Sequence, residues 1–140
     1  MGLDRGTKIY AATLSGILLL IFLGWLLTRD FRLSEINALI QQDHDTATYP
    51  YPFRILEIVG TTAIISSPRS NTMPAVRFLG IINPFLNNKS TQDPQMIVAQ
   101  KKLASIQSKV KKRVLGRDDI DKVKWRIDKE WFSQKGIWLE

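Results

Sequence analysis

The only histidine of the chain lies between two carboxylates, in the tripeptide Asp43-His44-Asp45. A histidine with neighbouring carboxylates can bind a metal ion or act as a general base. Side chains of successive residues diverge, however, and the sequence has no cysteine and no second histidine to complete a metal site. No motif places a nucleophile beside His44. We therefore interpret the tripeptide as an exposed polar linker and predict no metal-binding residue.

Hydroxyls and a guanidinium follow an apolar run in the segment 66–71, SSPRSN. Arg69 and Ser70 could hold a phosphate or carboxylate there, because a guanidinium offers a bidentate fork of N–H donors. The segment lacks the glycines of a phosphate-binding loop, and turn chemistry alone would also explain its composition. No paired base, oxyanion hole or metal set accompanies its serines. We predict that the chain is not an enzyme and has no catalytic residue and no cofactor.

Positive charge is concentrated in one part of the chain. The sequence has 20 Lys and Arg against 13 Asp and Glu, a formal net charge of +7, and no acidic residue between Gln95 and Arg117. A cationic helix face there could contact anionic lipid or an acidic protein, could follow nucleic-acid phosphates, or could simply be solvated. No RNA-binding, helix-turn-helix or zinc-finger pattern favours nucleic acid. Lys111 belongs to this run, and the predicted contact residues are Lys101, Lys102, Lys109, Lys112, Arg113 and Arg117.

Three of the four tryptophans lie close to the C-terminus. Trp125 alternates with apolar neighbours and is predicted to belong to the core. Trp131, Phe132 and Trp138 are either core residues or a patch that binds a protein partner, since tryptophan is enriched at interface hot spots.

The element that would position the whole chain is the uncharged segment 9–27, IYAATLSGILLLIFLGWLL, which follows a short basic tail, 1–8. A helix of this length would extend roughly 28 Å, close to the hydrocarbon thickness of about 30 Å. No small-residue cleavage pattern follows it, so an uncleaved transmembrane anchor is predicted. Ala12, Gly16 and Gly24 share one helix face and could pack against another membrane subunit, although glycine is common in spans generally.

The flanking charges leave the orientation of the anchor open. Arg5 and Lys8 precede the span and Arg29 and Arg32 follow it, so the positive-inside count is tied. A short basic tail usually stays inside, and a long domain can be exported regardless of its charge. This favours a cytoplasmic N-terminus and, in a bacterium, an inner-membrane protein with a periplasmic C-terminal domain. The opposite orientation is the alternative.

The remainder divides into a connecting segment and a domain. Residues 28–52 are predicted to form a juxtamembrane amphipathic helix and a Pro/Tyr linker, and residues 53–140 a compact domain. Within it, 53–59 and 62–66 predict a β-hairpin.

A short helix is predicted over 75–82, and two further elements follow it. A long helix over about 94–115 has a continuous apolar stripe, an N-cap at Asp93 and a left-handed C-cap at Gly116. The alternating segment 123–128 predicts a half-buried strand. The fold class is therefore α+β: an N-terminal transmembrane helix followed by a small two-layer domain, with an antiparallel sheet and one long helix across it.

These features predict a non-enzymatic single-pass membrane protein, an accessory or assembly subunit whose basic domain docks an envelope protein complex. The alternative is a stand-alone module that binds anionic lipid or another polyanion at the membrane. The expected partners are membrane lipids and another membrane or envelope subunit. Nucleic acid is disfavoured, and no small-molecule substrate is inferred.

Overall fold

The computed structural model describes residues 2–28 and 31–140, which form two units. The first unit ends at Arg32 and consists mainly of helix α1 (Arg5–Thr28). The second unit, Leu33–Glu140, combines helices with a three-stranded sheet. The prediction of a mixed helical and sheet protein with one long apolar N-terminal helix is confirmed. Arg29, which was counted above for the orientation of the anchor, lies outside the described residues.

Helix α1 is long and apolar enough to cross a membrane, by length and composition. Its 24 residues correspond to roughly 36 Å of helix. Its large side chains are exposed, as at Leu20, which is 69% accessible. Ala12 is also exposed, and in the part of the chain that the structure describes no atom outside the local backbone lies within 4 Å of where a Cβ would stand at Gly16 or Gly24.

The sheet of the second unit has the order β1-β2-β3. Strands β1 (Ile55–Val59) and β2 (Thr62–Ser67) form the predicted antiparallel hairpin, with Gly60 at φ +62° in its turn. Strand β3 (Lys122–Ile127) pairs with β2 in parallel, so the prediction of an antiparallel sheet was wrong. The reason is the long helix between β2 and β3, which returns the chain across the sheet and so allows parallel pairing.

Six helices and one 3-10 turn accompany the sheet in the described residues. Helix α5 (Pro94–Leu115) begins where predicted, because the Asp93 carboxylate accepts hydrogen bonds from Gln95 N at 2.9 Å and Met96 N at 3.4 Å. Gly116 follows its end with φ −69°, so the predicted left-handed C-cap is wrong. The remaining elements are α2 (Arg32–Gln41), α3 (His44–Thr48), α4 (Ala75–Ile82), the 3-10 turn Pro84–Leu86 and α6 (Lys129–Gln134).

One apolar core joins α5 to one face of the sheet. Ala63 and Ile65 on β2 and Val110 on α5 are all fully buried in it. The opposite sheet face carries charged side chains, and Arg126 Nη1 lies 3.2 Å from Glu57 Oε2 there. Helices on one face and charged side chains on the other correspond to two layers.

The compact unit begins earlier than the predicted boundary at residue 53. Ile36 and Ile40 on α2 have no exposed surface and belong to the core, as does Tyr51. Helix α2 therefore packs on the domain, and the segment predicted as a linker is folded with it. An apolar helix face has the same sequence pattern whether it covers a bilayer or a protein core.

The C-terminal aromatic residues divide between the core and the surface. Trp125 is 37% exposed, so its prediction as a core residue was wrong. Trp131 and Phe132 are buried at 8% and 0% exposure, which removes them from a surface patch. Of the proposed patch, only Trp138 is exposed, at 81%.

Candidate functional site

The buried stripe of α5 leaves two exposed flanks. Lys102 and Lys111 are nine residues apart at about 100° each, so they lie on opposite sides of the helix. Lys109 and Arg113 lie on the side of Lys102 and contact α2 and α3 residues. We call this side the acid-paired flank and the side of Gln107, Ser108 and Lys111 the cavity flank. Lys101 and Lys112 lie between the two flanks and are exposed.

Acidic residues from the start of the unit neutralise much of the acid-paired flank. Lys109 Nζ lies 2.6 Å from Asp45 Oδ2, and this hydrogen bond raises the pKa of Lys109. Arg113 Nη1 donates to the Leu39 carbonyl at 3.2 Å, and its Nη2 lies 4.0 Å from Asp43 Oδ1. These basic side chains are therefore engaged within the fold.

Arg117, just beyond the end of α5, is also paired. Its Nε and Nη2 donate to the Asp119 carboxylate at 2.8 and 2.9 Å, and its Nη1 donates to Glu35 Oε2 at 3.2 Å. The hydrogen bonds to Asp119 raise the pKa of the Arg117 guanidinium above its usual value. Three of the six predicted anion-contact residues thus already have carboxylate partners, and the charge of this face is smaller than the sequence indicated.

On the cavity flank, α5 faces the loop between β2 and α4 across a cavity of about 510 Å³. Arg69 and Lys111 line it from opposite sides, and Trp125 lines it from β3. Arg69 Nε donates to Gln107 Oε1 at 2.9 Å, which fixes the guanidinium. No carboxylate is among the described lining residues, so the cavity is cationic.

The loop that carries Arg69 is fastened by its own serines. Ser67 Oγ donates to the Arg69 carbonyl at 2.8 Å and accepts from Arg69 N at 3.2 Å. Ser70 Oγ accepts from Thr72 N and Met73 N, both at 3.2 Å. The structure therefore assigns Ser70 to loop geometry and leaves Arg69 as the charged group of the predicted anion loop.

A second polar cluster, around Asp128, was not predicted from the sequence. The Asp128 carboxylate, 2% exposed, accepts from Arg54 Nη1 at 2.5 Å and Nη2 at 3.0 Å, from Tyr51 Oη at 2.8 Å and from Trp131 N at 3.2 Å. Burial favours the neutral acid, but hydrogen bonds from Arg54 and Tyr51 outweigh it and lower the pKa of Asp128. A carboxylate with four donors holds the segment before β1 against the junction of β3 and α6.

An apolar surface lies near the N-terminal end of α5, on the side of the acid-paired flank. Phe85 is 87% exposed and Val98 67% exposed, and with Lys102 they border a cavity of about 600 Å³. A smaller cavity of about 270 Å³, also bordered by Lys102, reaches Tyr49. We call the surface formed by Phe85, Val98, Ala99 and Lys102 the Phe85 patch.

The Tyr49 hydroxyl is buried beneath this smaller cavity. Within the part of the chain that the structure describes, it has no hydrogen-bond partner. Burial raises the pKa of Tyr49 to about 12. An unpaired buried hydroxyl costs free energy, because it loses its hydrogen bonds to water on folding.

Residues considered for catalysis have other roles in the structure. Asp43 caps α3 by accepting from Thr46 N at 3.0 Å and from Thr46 Oγ1 at 2.8 Å, and His44 is exposed. Ser66 Oγ accepts from Arg54 N at 3.0 Å inside the fold. Within residues 2–28 and 31–140, no group of three or more His, Cys, Asp or Glu could hold a metal ion. No protein-family model, curated protein or solved structure matches the chain.

Proposed function

We propose that the chain is a non-enzymatic single-pass membrane protein, an accessory or assembly subunit whose domain docks a protein partner through the Phe85 patch. The observation that carries this proposal is the exposure of Phe85 and Val98, at 87% and 67%, beside two cavities. Exposed apolar surface joined to a cavity is characteristic of protein interaction sites.

Charge complementarity defines the partner segment. Lys102 borders both cavities, and Lys101 is exposed next to it in the chain. Neither lysine has an acidic side chain within ion-pair distance in the described residues. An apolar centre with a cationic rim fits a partner segment that presents apolar side chains flanked by Asp or Glu.

The N-terminal helix supports the membrane part of the proposal. Helix α1 would anchor the chain, and its open face at Ala12, Gly16 and Gly24 would allow close approach by a helix of another membrane subunit. With the N-terminus in the cytoplasm of a bacterium, the domain would lie in the periplasm, against an envelope complex. A C-terminal reporter active only outside the cytoplasm would support this orientation, and an inactive one would reverse it.

Site-specific cross-linking of the full chain in its native membranes tests the docking surface. A photo-reactive amino acid in place of Val98 is expected to give one adduct of defined mass. The matched control is Val59, which is 56% exposed on the charged sheet face. Replacing Phe85 by Asp should abolish the Val98 adduct. Equal labelling from positions 98 and 59, or persistence of the adduct in the Phe85→Asp variant, would contradict docking at this patch.

A second function, binding of anionic lipid or another polyanion by the domain, is favoured by Lys101 and Lys112. They are exposed between the two flanks, and the described part of the chain pairs neither with an acid. Each such lysine contributes about 1 kcal/mol of attraction near an anionic leaflet. Flotation of the domain without its anchor, residues 33–140, with anionic vesicles at low salt should weaken in a Lys101→Gln/Lys112→Gln variant, and unchanged flotation would argue against this function.

A further inference from the structure

We infer that the cavity between Arg69 and Lys111 is a binding site for a phosphomonoester whose organic group covers Trp125. The site lies at the carboxyl end of β2, where the chain leaves the sheet for α4 and where β2 has a parallel neighbour. Ligand sites of sheets with parallel strands commonly lie outside this end of the strands. The cavity volume of about 510 Å³ is within the usual range for small-molecule sites.

The charge of the cavity selects an anion. Arg69 and Lys111 supply two positive charges, and no carboxylate is among the described lining residues. Within residues 2–28 and 31–140, neither side chain has an acidic group within ion-pair distance. This differs from the other flank, where Lys109 and Arg117 each have a carboxylate partner. Two uncompensated cations around one cavity match the two negative charges of a phosphomonoester near neutral pH.

The position of the guanidinium is fixed before any ligand arrives. Arg69 Nε is held by Gln107 Oε1 at 2.9 Å, and the Gln107 side chain is itself 93% buried, since 7% of the residue is exposed. The loop backbone is held by hydrogen bonds between Ser67 and Arg69 at 2.8 and 3.2 Å. The terminal nitrogens of Arg69 therefore remain available for two parallel hydrogen bonds to phosphate oxygens at little ordering cost.

Trp125 supplies the apolar side of the site. It belongs to the sheet face that α5 covers, opposite Ile65 in the register, yet it is 37% exposed because it borders the cavity. Its ring is held edge-on by Phe53, with 6.3 Å between ring centroids. A fixed, half-exposed indole beside two cations fits a ligand with a planar group attached to its phosphate. The same chemistry is available from a soluble phosphate ester or from a phosphomonoester lipid headgroup.

Titration of the full chain in dodecyl maltoside, a detergent without phosphate, tests the site. The four tryptophan indole N–H signals are followed by NMR, and Trp125→Phe assigns the Trp125 signal. Phenyl phosphate is expected to shift this signal to saturation while the Trp138 signal stays in place. Phenyl sulfate, which carries a single negative charge, should bind more weakly. A shift that fails to saturate, or that affects Trp138 and not Trp125, would overturn the assignment.

Two lysines on opposite sides of the sheet provide the matched pair of variants. Lys111→Gln should weaken phenyl phosphate binding about tenfold, because one charge-assisted contact is lost. Lys124→Gln removes the same charge on the opposite sheet face, outside the cavity, and should leave the affinity unchanged. Arg69→Gln should weaken binding at least as much as Lys111→Gln, with the buried Trp131 signal reporting that each variant is folded. Equal losses from Lys111→Gln and Lys124→Gln would show attraction by net charge and overturn the proposal.

The source of the phosphate is resolved by a second arm in nanodiscs. If phosphatidic acid supplies the headgroup, nanodiscs containing it should shift the Trp125 signal and compete with phenyl phosphate, whereas pure phosphatidylcholine should not. If phosphatidic acid has no effect and phenyl phosphate still saturates the signal, the ligand is a soluble phosphate ester. No response to either compound would exclude the site.

Discussion

The two flanks of α5 carry the same kind of charge in opposite surroundings. On the acid-paired flank, Lys109 lies against Asp45 and Arg113 approaches Asp43. On the cavity flank, Arg69 and Lys111 border open space without a carboxylate among the described lining residues. The first arrangement joins α2 and α3 to the domain, whereas the second keeps charge available for a ligand.

This difference shows that an acid-free stretch of sequence does not make an acid-free surface. The acids that neutralise the helix come from residues 35–45, far from α5 in the chain, and folding places them on one side only. Within residues 2–28 and 31–140, the basic side chains of α5 without an acidic partner are Lys111 on the cavity flank and Lys101, Lys102 and Lys112 between or beside the flanks. A diffuse basic face is thereby reduced to a few defined positions, each of which can be removed separately.

We expect the largest effect on stability at the buried Asp128 cluster, where the Arg54 guanidinium pairs with a carboxylate. Asp128→Asn leaves Arg54 with only Glu130, at 3.8 Å, as an acidic partner, and it removes the charged acceptor of the Tyr51 hydroxyl. Breaking a buried pair in this way costs about 3–5 kcal/mol. Chemical denaturation should show this loss in the free energy of unfolding. Glu57→Gln, which breaks an exposed pair with Arg126, is the control. If Asp128→Asn lowered stability no more than this control, the Asp128 pair would contribute no more than a surface ion pair.

The pH dependence of stability tests whether the charge of Asp128 provides this stabilisation. The pKa of Asp128 is lowered in the folded state, so the stabilisation is present above the usual carboxyl pKa of about 3.9. It is lost as the pH falls through the lower folded-state pKa, because protonation then removes the charge. The difference in unfolding free energy between the wild type and Asp128→Asn should therefore shrink below about pH 4. A difference that is constant from pH 7 to pH 2 would contradict the role of the charge.

Detaching α2 from the domain would remove partners of the acid-paired flank, because Arg113 and Arg117 bind α2 residues. Ile40 is fully buried, and Ile40→Ala should lower the free energy of unfolding by about 2–5 kcal/mol through the cavity it leaves. Val59→Ala, at an exposed position, is the control and should change stability little. If α2 instead lay on the bilayer, as the sequence pattern allowed, the two variants would have similar stability.

Local signals in the sequence predicted the elements better than their arrangement. The apolar stripe and Asp93 defined α5 correctly because both act within a few residues. The alternation of β3 correctly predicted a strand. Because the same alternation occurs in parallel and antiparallel sheets, it could not predict the direction of pairing. Likewise, the apolar face of α2 carries no mark that distinguishes a lipid surface from a protein core.

The candidate site was predictable only in part, for the same reason. Arg69 was identified because hydroxyls and turn residues surround it in sequence. Lys111 and Trp125, on the other sides of the cavity, are distant in the chain and lie in patterns that indicate a solvated helix face and a core strand. Asp128 and Arg54 are 74 residues apart, and no local pattern relates them. These groups are brought together only by the parallel crossover.

Introducing an acid on the cavity flank should make it resemble the other flank. Ser108→Asp places a carboxylate at the cavity edge on α5, where it can pair with Lys111 and repel a phosphate. Phenyl phosphate binding should fall about tenfold, from the loss of one charge-assisted contact. Ser105→Asp makes the same change at an exposed position on the same helix that does not border the cavity. Equal losses of phenyl phosphate affinity in the two variants would mean that binding depends on the net charge of the helix and not on charge at the cavity.

The smallest effect is expected from the reverse change, which frees a lysine on the acid-paired flank. Asp45→Asn leaves the cap at Asp43 in place and releases Lys109. A freed lysine should strengthen the binding of the domain without its anchor, residues 33–140, to anionic vesicles about fivefold at low salt. Asp118→Asn makes the same change in net charge at an exposed acid without an ion pair in residues 31–140. Because Asp118→Asn frees no cation, its gain should be smaller, and equal gains would show that only net charge matters on this side of the helix.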